Sequence, residues 1–223
     1  GSGKSHYCLD SIKKKIDDGN NNKLILLVPD QYTFQSEKKL LEVIGEKALL
    51  RAEVLSFKRM ATRVFDLYGG RANTVIKESG KNMLIYKLLK DKGDELQYFN
   101  KISKKQGFVG IVSKAITEFK KYKISEEILN ETEEKLDNKE LKEKINDLSL
   151  LYKDFNSKLH SDYIDSDDIL TLLAEKLKEC DLYKGAEIWI DEFTTFTPQQ
   201  LDVIMALAKQ CKTINITLCS YNL

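Results

Sequence analysis

The stretch KLILLVPD, residues 23–30, is a short apolar run that ends at Pro29 and Asp30. A continuous apolar run of this length is typical of a strand that is covered on both faces, as in a parallel sheet. Three further runs have the same character: AEVLSF at 52–57, GAEIWIDEF at 185–193 and KTINITLCS at 212–220. The sequence therefore predicts four strands of a parallel sheet.

Segments with helical periodicity separate these strands. The pattern predicts helices over 5–18, 34–44, 57–68 and 197–210. The last of them begins with Thr197 as N-cap and Pro198 at its first position. The alternation of strands and helices predicts an α/β fold with right-handed crossovers.

Between about residues 78 and 179 the pattern changes, because it shows helical periodicity without strand runs. Such a segment is far longer than a crossover needs, so it predicts a large all-helical insertion. We expect one domain to comprise residues 1–77 and 180–223, and the insertion to form a second, helical subdomain.

Composition limits the class of protein. With 223 residues, 42% hydrophobic and 32% charged, the chain is long enough for a sizeable core. The net charge of +1 gives no overall basic field, so any contact with DNA must come from a local patch. The cysteines Cys8, Cys180, Cys211 and Cys219 lack C-x-x-C spacing, and no apolar run approaches a membrane span. These features predict a cytoplasmic protein with reduced thiols and no membrane partner.

The chain opens with GSGKS, which matches the second half of the phosphate-binding pattern G-x-x-x-x-G-K-[ST]. A linker remnant followed by a helix is the other interpretation. If the loop is real, the backbone of Gly1, Ser2 and Gly3 approaches phosphate, Lys4 reaches the β- and γ-phosphates, and Ser5 ligates Mg²⁺. On this interpretation, the strand that precedes such a loop lies upstream of residue 1.

A second motif, EIWIDEF, delivers Asp191 and Glu192 at the carboxyl end of a strand, where open α/β sheets place their ligands. In nucleotide hydrolysis an aspartate at this point holds Mg²⁺ together with the loop hydroxyl, here Ser5. A neighbouring glutamate orients or deprotonates the attacking water. A solvated acidic turn would have the same sequence. The pairing with G-K-S favours an ATP site in which Asp191 and Glu192 are the catalytic residues.

Five stretches together carry a family resemblance: GSGKS at 1–5, LLVPDQYTFQSEKKLL at 26–41, VLSFKRMATRVF at 54–65, YIDSDDIL at 163–170 and IWIDEFTTFTPQQLDVI at 188–204. With them the chain resembles the UvrD/Rep-like superfamily-one helicases. It is most similar to the N-terminal region of B subunits of AddAB-type ATP-dependent helicase/deoxyribonucleases. The resemblance implies a RecA-like ATP-binding domain of P-loop NTPase topology with a helical insertion, in an enzyme that processes double-strand DNA ends for recombination.

The same resemblance implies partners and further sites. The expected partners are the A subunit, as a heterodimer, and DNA, both single-stranded and as a duplex end. The expected cofactors are ATP and Mg²⁺, and an iron–sulfur cluster belongs only to the C-terminal part of the family. Recognition of a regulatory DNA octamer is implied for this subunit. The positions that match DNA-contacting motifs are Gln31, Thr33, Phe34, Ser56, Phe57 and Arg59. The alternative to DNA contact is that Phe34 and Phe57 pack in the core and that Arg59 is a solvated helix residue.

Departures from the helicase pattern leave the activity open. Thr194 stands where these helicases have a glutamine that couples the γ-phosphate to DNA binding, although Gln200 matches a later glutamine of the motif and is expected at the nucleotide. The resemblance assigns the second RecA-like domain and the nuclease domain to parts of the protein outside these residues. One hypothesis is therefore an ATP-hydrolysing subunit that grips DNA. The other is a degenerate helicase domain that serves as a scaffold for DNA recognition and for assembly of the two subunits. A P-loop kinase is disfavoured by the long insertion.

Charge is uneven within the predicted insertion. Seven lysines against one acid occupy residues 101–123: Lys101, Lys104, Lys105, Lys114, Lys120, Lys121 and Lys123. They predict a basic face near DNA or, equally, an ordinary solvated face. Further along, Asp165, Asp167 and Asp168 are expected to cap a helix rather than to bind metal.

Overall fold

The computed structural model describes residues 3–45, 50–70, 74–105, 107–159 and 163–218. Within these ranges the chain forms nine α-helices and six β-strands. The helices are α1 (Lys4–Asp17), α2 (Thr33–Ile44), α3 (Phe57–Tyr68), α4 (Glu78–Lys92), α5 (Phe108–Lys121), α6 (Glu126–Glu134), α7 (Lys139–Leu159), α8 (Ile169–Lys176) and α9 (Pro198–Ala208). The strands are β1 (Leu24–Leu27), β2 (Ala52–Leu55), β3 (Thr74–Ile76), β4 (Tyr163–Asp165), β5 (Glu187–Ile190) and β6 (Thr213–Ile216).

The chain divides into two compact units. One comprises Gly1–Gly70 with Leu170–Leu223, and the other comprises Arg71–Ile169. The domain bounds predicted from the sequence stay a prediction. Among the described residues no helix is long and apolar enough to cross a membrane.

The first unit contains a four-stranded sheet in the order β2–β1–β5–β6, and every pairing is parallel. Leu26 of β1 lies beside Val54 of β2 on one side and Trp189 of β5 on the other. All residues of β1 and β5 are buried, as expected for central strands of a parallel sheet. The predicted α/β class, its four strands and its four helices are therefore confirmed.

Helices α1 and α2 cover one face of this sheet. Cys8, Leu9 and Ile12 of α1 pack in one buried cluster with Leu26 of β1 and Trp189 of β5. The apolar side chains recur at three- to four-residue intervals in α1, so one side of the helix meets the sheet. This packing fixes where the N-terminus of α1 lies.

The order in which the chain adds strands to the sheet changes direction between β1 and β5, although all the strands stay parallel. From β1 the chain continues to β2 on one side, whereas from β5 it continues to β6 on the other. Parallel open sheets form a crevice outside the carboxyl ends of the strands at such a switch point, and ligands bind there. A ligand site is therefore expected at the carboxyl ends of β1 and β5, at residues 28–30 and 191–193.

The second unit has its own helical core. Buried residues of α4, α5 and α7 form it, among them Leu88, Val112, Ile116 and Phe155. It also contains a short parallel pair, β3 with β4. The strand β4 lies within the segment that was predicted to be all-helical, so that prediction is wrong at Tyr163–Asp165. A three-residue strand is too short to give a recognisable alternating pattern.

A buried ionic cluster joins the helices of this unit. Lys120 is 6% exposed and lies 2.6 Å from Asp168 Oδ2 and 3.0 Å from Asp165 Oδ2. Lys81, 3% exposed, contacts Asp165 at 3.3 Å and also pairs with Asp167. The predicted basic surface therefore does not include Lys120, because three carboxylates hold the two lysines inside. As expected, Asp165 also caps a turn, since it accepts a hydrogen bond of 3.2 Å from the Asp167 N–H.

Candidate functional site

The N-terminus of α1 begins with a glycine in a left-handed conformation. Gly3 has φ 74°, and a Cβ placed on it would meet no atom within 4 Å. The backbone conformation rather than crowding is therefore what favours glycine here. Among the residues that the structure describes, no side chain caps this end of α1, and its first turn contains no acidic residue. The N–H groups of a helix's first turn have no acceptor within the helix, and together with the positive end of the helix dipole they suit an anion.

The first turn of α1 lies at the carboxyl end of β5. The hydroxyl of Ser5 donates a hydrogen bond of 3.0 Å to Oε1 of Glu192. Glu192 is exposed and has φ 66°, a left-handed conformation that is uncommon for a residue with a side chain. Strain of this kind concentrates at functional sites, where the surrounding structure holds it in place. The structure therefore brings together Ser5 and Glu192, which were predicted from their motifs to share one site.

Asp191, the residue before Glu192, is 3% exposed. Its N–H donates to the Leu27 carbonyl at 3.0 Å, which continues the β1–β5 ladder beyond the strands. Its carboxylate accepts a hydrogen bond from the hydroxyl of Thr217, which follows β6. Burial, together with the negative charge of Asp191, raises the pKa of the Cys8 thiol to about 12. The carboxylate is thus buried, hydrogen-bonded to Thr217 and close enough to Cys8 of α1 to affect its ionisation.

Sequence reasoning missed Thr217. It directly follows β6, as Asp191 directly follows β5. Because β5 and β6 are adjacent and parallel, the two residues lie side by side at the carboxyl ends of these strands. Strand order was the missing information, because only the adjacency of β5 and β6 brings them together. The sequence showed only a hydroxyl residue inside the predicted strand run 212–220, because the observed strand ends earlier, at Ile216.

The oxygen atoms of Ser5 and Asp191, near the carboxyl end of β5, are of the chemical type that binds a magnesium ion. Mg²⁺ prefers oxygen ligands and usually takes one or two from the protein, with water and substrate phosphates completing its shell. Ser5 and Asp191 supply a hydroxyl and a carboxylate. Among the described residues no group of three or more His, Cys, Asp and Glu side chains could hold a metal by itself. A metal here would therefore need phosphate oxygens as further ligands.

Two other residues predicted to contact nucleotide lie in the first unit. Lys4 is the first residue of α1, directly before Ser5. Gln200 closes a capping box at the start of α9, where its side-chain oxygen accepts a hydrogen bond of 2.9 Å from the Thr197 N–H. In this arrangement the Gln200 oxygen serves the helix cap. Gly1 and Ser2 lie outside the described residues.

Aromatic side chains connect the ends of β2 and β5. Phe57, directly after Ser56, packs edge-on against Phe193, with ring centroids 5.6 Å apart. Phe193 in turn contacts Phe196 at 5.1 Å. Neither Phe193 nor Phe196 was predicted to belong to a site, although their spacing after the Asp-Glu pair was visible in the sequence. These rings support the loop that carries Glu192.

The six residues predicted to contact DNA fall into two groups. Three are buried and serve the backbone or the core: Thr33, whose hydroxyl donates to the Asp30 carbonyl at 2.9 Å; Ser56, which caps α3; and Phe57. Three are exposed: Gln31, Phe34, with 78% of its surface accessible, and Arg59, which pairs with Glu37. The structure thus leaves Gln31, Phe34 and Arg59 available to a ligand.

Phe34 and Arg59 line a groove of 1310 Å³ bounded by α2, α3 and β2. The charges of the described residues that line the groove balance: four acids, Asp30, Glu37, Glu53 and Asp66, against four bases, Lys38, Lys58, Arg59 and Arg63. The groove therefore has no net positive field that would attract a phosphate backbone. Stacking on Phe34 and hydrogen bonding are the interactions that it offers.

Comparison with known proteins gives one family. The sequence profile described as "ADDB, N-terminal" matches residues 1–222. Three relatives are each named as the B subunit of an ATP-dependent helicase/deoxyribonuclease: proteins of Clostridium perfringens strain 13, Clostridium tetani and Clostridium kluyveri. Their identities to this chain are 53%, 49% and 48%, over 98%, 99% and 98% of its length. The chain spans 19% of the length of each of these relatives.

Proposed function

The chain belongs to the family of AddB N-terminal regions, and we propose that it is the ATP- and DNA-binding N-terminal part of the B subunit of a helicase/deoxyribonuclease. The whole protein would process double-strand DNA ends for recombinational repair, as a heterodimer with an A subunit. The observation that carries the ATP site is the 3.0 Å contact between Ser5 and Glu192 at the switch point of a parallel sheet.

We infer a RecA-like arrangement of P-loop type for this unit. The uncapped start of α1 would receive the phosphates, with the backbone at Gly3 close to them and Lys4 neutralising their charge. Ser5 and Asp191 would hold Mg²⁺, which neutralises charge on the transferred phosphoryl group. Thr217 would keep the buried Asp191 carboxylate turned toward the metal. The parts that recognise Mg·ATP are thus supplied by the ends of α1, β5 and β6.

Glu192 is the candidate general base. Its carboxylate is exposed at the edge of the sheet and is held by the Ser5 hydroxyl, so it can accept a proton from water placed near the phosphates.

DNA contact in this unit is proposed for the groove beside α2 and α3. Phe34 would stack on a base, while Gln31 and Arg59 would donate hydrogen bonds. Thr33, Ser56 and Phe57 would act indirectly, because they hold the turn that starts α2 and the first turn of α3. The balanced charge of the groove favours contacts with bases over contacts with phosphates.

The scaffold function is the second candidate, and one observation favours it. Gln200 is occupied in the capping box, and Thr194 is an exposed threonine where helicases have a glutamine. Neither side chain is therefore positioned to couple binding of the γ-phosphate to binding of DNA. ATP would then bind without hydrolysis coupled to movement.

Replacing Glu192 by Gln in the complete two-subunit enzyme separates these functions. The A subunit must carry a disabled phosphate-binding lysine so that its turnover does not dominate the total rate. If the B subunit hydrolyses ATP, we expect unchanged ATP affinity and a loss of at least about 100-fold in turnover, because an amide cannot accept the proton of water. Glu179→Gln, an exposed carboxylate in the same unit, is the matched control. Equal turnover of Glu192→Gln and the parent would support the scaffold function.

A further inference from the structure

The second unit contains a cleft that no part of the proposed function uses. It lies between the C-terminal half of α4 and the segment that leads into α5, and it has a volume of 550 Å³. This volume falls within the range of sites for small molecules or single nucleotides. The residues that line it are Tyr86, Leu89, Lys90, Ser103, Lys104, Lys105, Gly107 and Val109.

The charge of this cleft has one sign. The described residues of its lining include three lysines and no acidic residue, in contrast to the balanced groove of the first unit. Lys104 forms an ion pair of 2.9 Å with Asp94, but both side chains are more than two-thirds exposed, so the pair is weak. Lys90 and Lys105 have no ion-pair partner among the described residues. Lysines gathered in a concave surface focus a positive potential and attract an anion.

The lysine-bearing segment is held firmly against α4. A Cβ placed on Gly93 would lie 2.4 Å from the Leu89 carbonyl oxygen and 2.8 Å from the Ser103 hydroxyl, so only glycine permits this approach. Ser103 is 4% exposed, and its hydroxyl donates to the Asn100 carbonyl at 2.8 Å. The base of the cleft is therefore packed, and Lys90, Lys104 and Lys105 all line the cleft.

An aromatic ring completes the cleft. Tyr86 is 63% exposed and lies four residues before Lys90, so the two side chains share one face of α4. Proteins that bind single-stranded nucleic acid combine such a ring, on which a base stacks, with cations that follow the phosphate backbone.

We propose that this cleft binds single-stranded DNA, with Lys90 and Lys105 on phosphates and Tyr86 stacked on a base. The inference rests on the proposed function only in that the parent protein acts on DNA. It adds a second contact point, on a different unit from the groove at Phe34. An acidic protein surface is the competing occupant, and it would need the charges but not the aromatic ring.

The test measures binding of a fluorescein-labelled oligothymidine of about 20 nucleotides, long enough to cover one such site, to the full-length protein by fluorescence anisotropy at several salt concentrations. The Lys90→Gln/Lys105→Gln double variant should bind more weakly at low salt. The salt dependence should also become less steep. The negative slope of log affinity against log salt should shrink in magnitude by about 1.4, at about 0.7 for each phosphate contact that is removed. The matched control is Lys135→Gln/Lys139→Gln, which removes two exposed lysines from the same unit.

Tyr86 distinguishes the two occupants. Tyr86→Ala should weaken binding by about five-fold or more, whereas Tyr86→Phe keeps the ring and should bind like the parent. Thermal melting of each variant shows whether it is folded. The proposal is overturned if the lysine variant matches the control in affinity and slope, or if folded Tyr86→Ala binds like the parent. Failure of the parent itself to bind the oligonucleotide would overturn the proposal, and would count against DNA binding in the proposed function as well.

Discussion

The hydroxyl of Ser5 lies 3.0 Å from the carboxylate of Glu192, although 187 positions of the chain separate them. The contact joins the first turn of α1 to the carboxyl end of β5. It requires the packing of α1 on the sheet and the central position of β5, so a chance surface contact between the two motifs does not explain it. Both residues were predicted to belong to one nucleotide site from their sequence motifs alone.

The left-handed conformation of Glu192 predicts that stability and function oppose each other at this residue. At φ 66° a residue with a Cβ is strained by about 1 kcal/mol relative to glycine. We therefore expect Glu192→Gly to be more stable than Glu192→Ala by about 1 kcal/mol, although both lack the carboxylate. Chemical denaturation of the two variants measures the difference. Equal stabilities would show that the conformation carries no strain.

Thr217 is predicted to act on the metal through Asp191. Thr217→Val removes the hydroxyl that orients the buried carboxylate, while Thr217→Ser keeps it. Loss of an outer hydrogen bond of this kind typically lowers metal affinity by about 10- to 100-fold. We expect Thr217→Val to need at least about 10-fold more Mg²⁺ for half-maximal ATP binding, with Thr217→Ser close to the parent. A Mg²⁺ titration at fixed nucleotide tests this, and an unchanged midpoint for valine would refute the role.

Glu187 should make the first unit sensitive to acid. It is 1% exposed at the start of β5 and receives hydrogen bonds from Asn20 at 2.6 Å and Asn22 at 2.8 Å, with Lys15 at 2.8 Å. Burial alone would raise the pKa of Glu187, but Lys15, Asn22 and Asn20 outweigh it and lower the pKa to about 2. A lowered pKa contributes stability that is complete above about pH 4.5 and is lost as the pH falls toward about 2.

The variant Glu187→Gln isolates this contribution. We expect its melting temperature at about pH 7 to be below that of the parent, and the difference to shrink as the pH falls from about 5 to about 2. Because Glu187 lies at the opposite end of β5 from Glu192, ATP affinity at neutral pH should stay the same. A difference in melting temperature that does not depend on pH would contradict the assignment.

The buried cluster of the second unit predicts a large loss of stability. Lys120→Met leaves Asp165 and Asp168 without the cation that contacts both. Removal of one partner from a buried ionic group typically costs about 3–5 kcal/mol. Lys121→Met, at an exposed lysine of the same helix, should cost less than about 0.5 kcal/mol. Denaturant titration of the two variants compares them, and similar small losses would show that the cluster contributes little.

Much of the first unit was predictable because its signals are local. Apolar runs without alternation marked the buried strands β1 and β5, and Thr197 with Pro198 marked the start of α9. Strand order was not predictable in this way, because it depends on which strands pair with each other in the folded chain. The contact of Thr217 with Asp191 and the packing of Phe57 on Phe193 follow from that order, and no local pattern revealed them.

Lys120 shows where a local signal was present and was read wrongly. It follows Val112 and Ile116 at four-residue intervals, so it lies on the buried side of α5. Periodicity therefore placed it inside, whereas a count of charges over residues 101–123 placed it on the surface. The partners that make its burial possible, Asp165 and Asp168, are 45 and 48 positions away and could not be assigned from the pattern.

The most direct test of the ATP site is calorimetric titration of Mg·ATP into the full-length protein and into its Lys4→Ala and Ser5→Ala variants. Lys13→Ala, at an exposed lysine of the same helix, serves as the control. We predict that the parent and Lys13→Ala bind with equal affinity. Lys4→Ala should bind at least about 10-fold more weakly, and Ser5→Ala should lose the dependence of binding on Mg²⁺. Equal affinity and equal Mg²⁺ dependence in all four proteins would contradict a nucleotide site at Ser5 and Glu192.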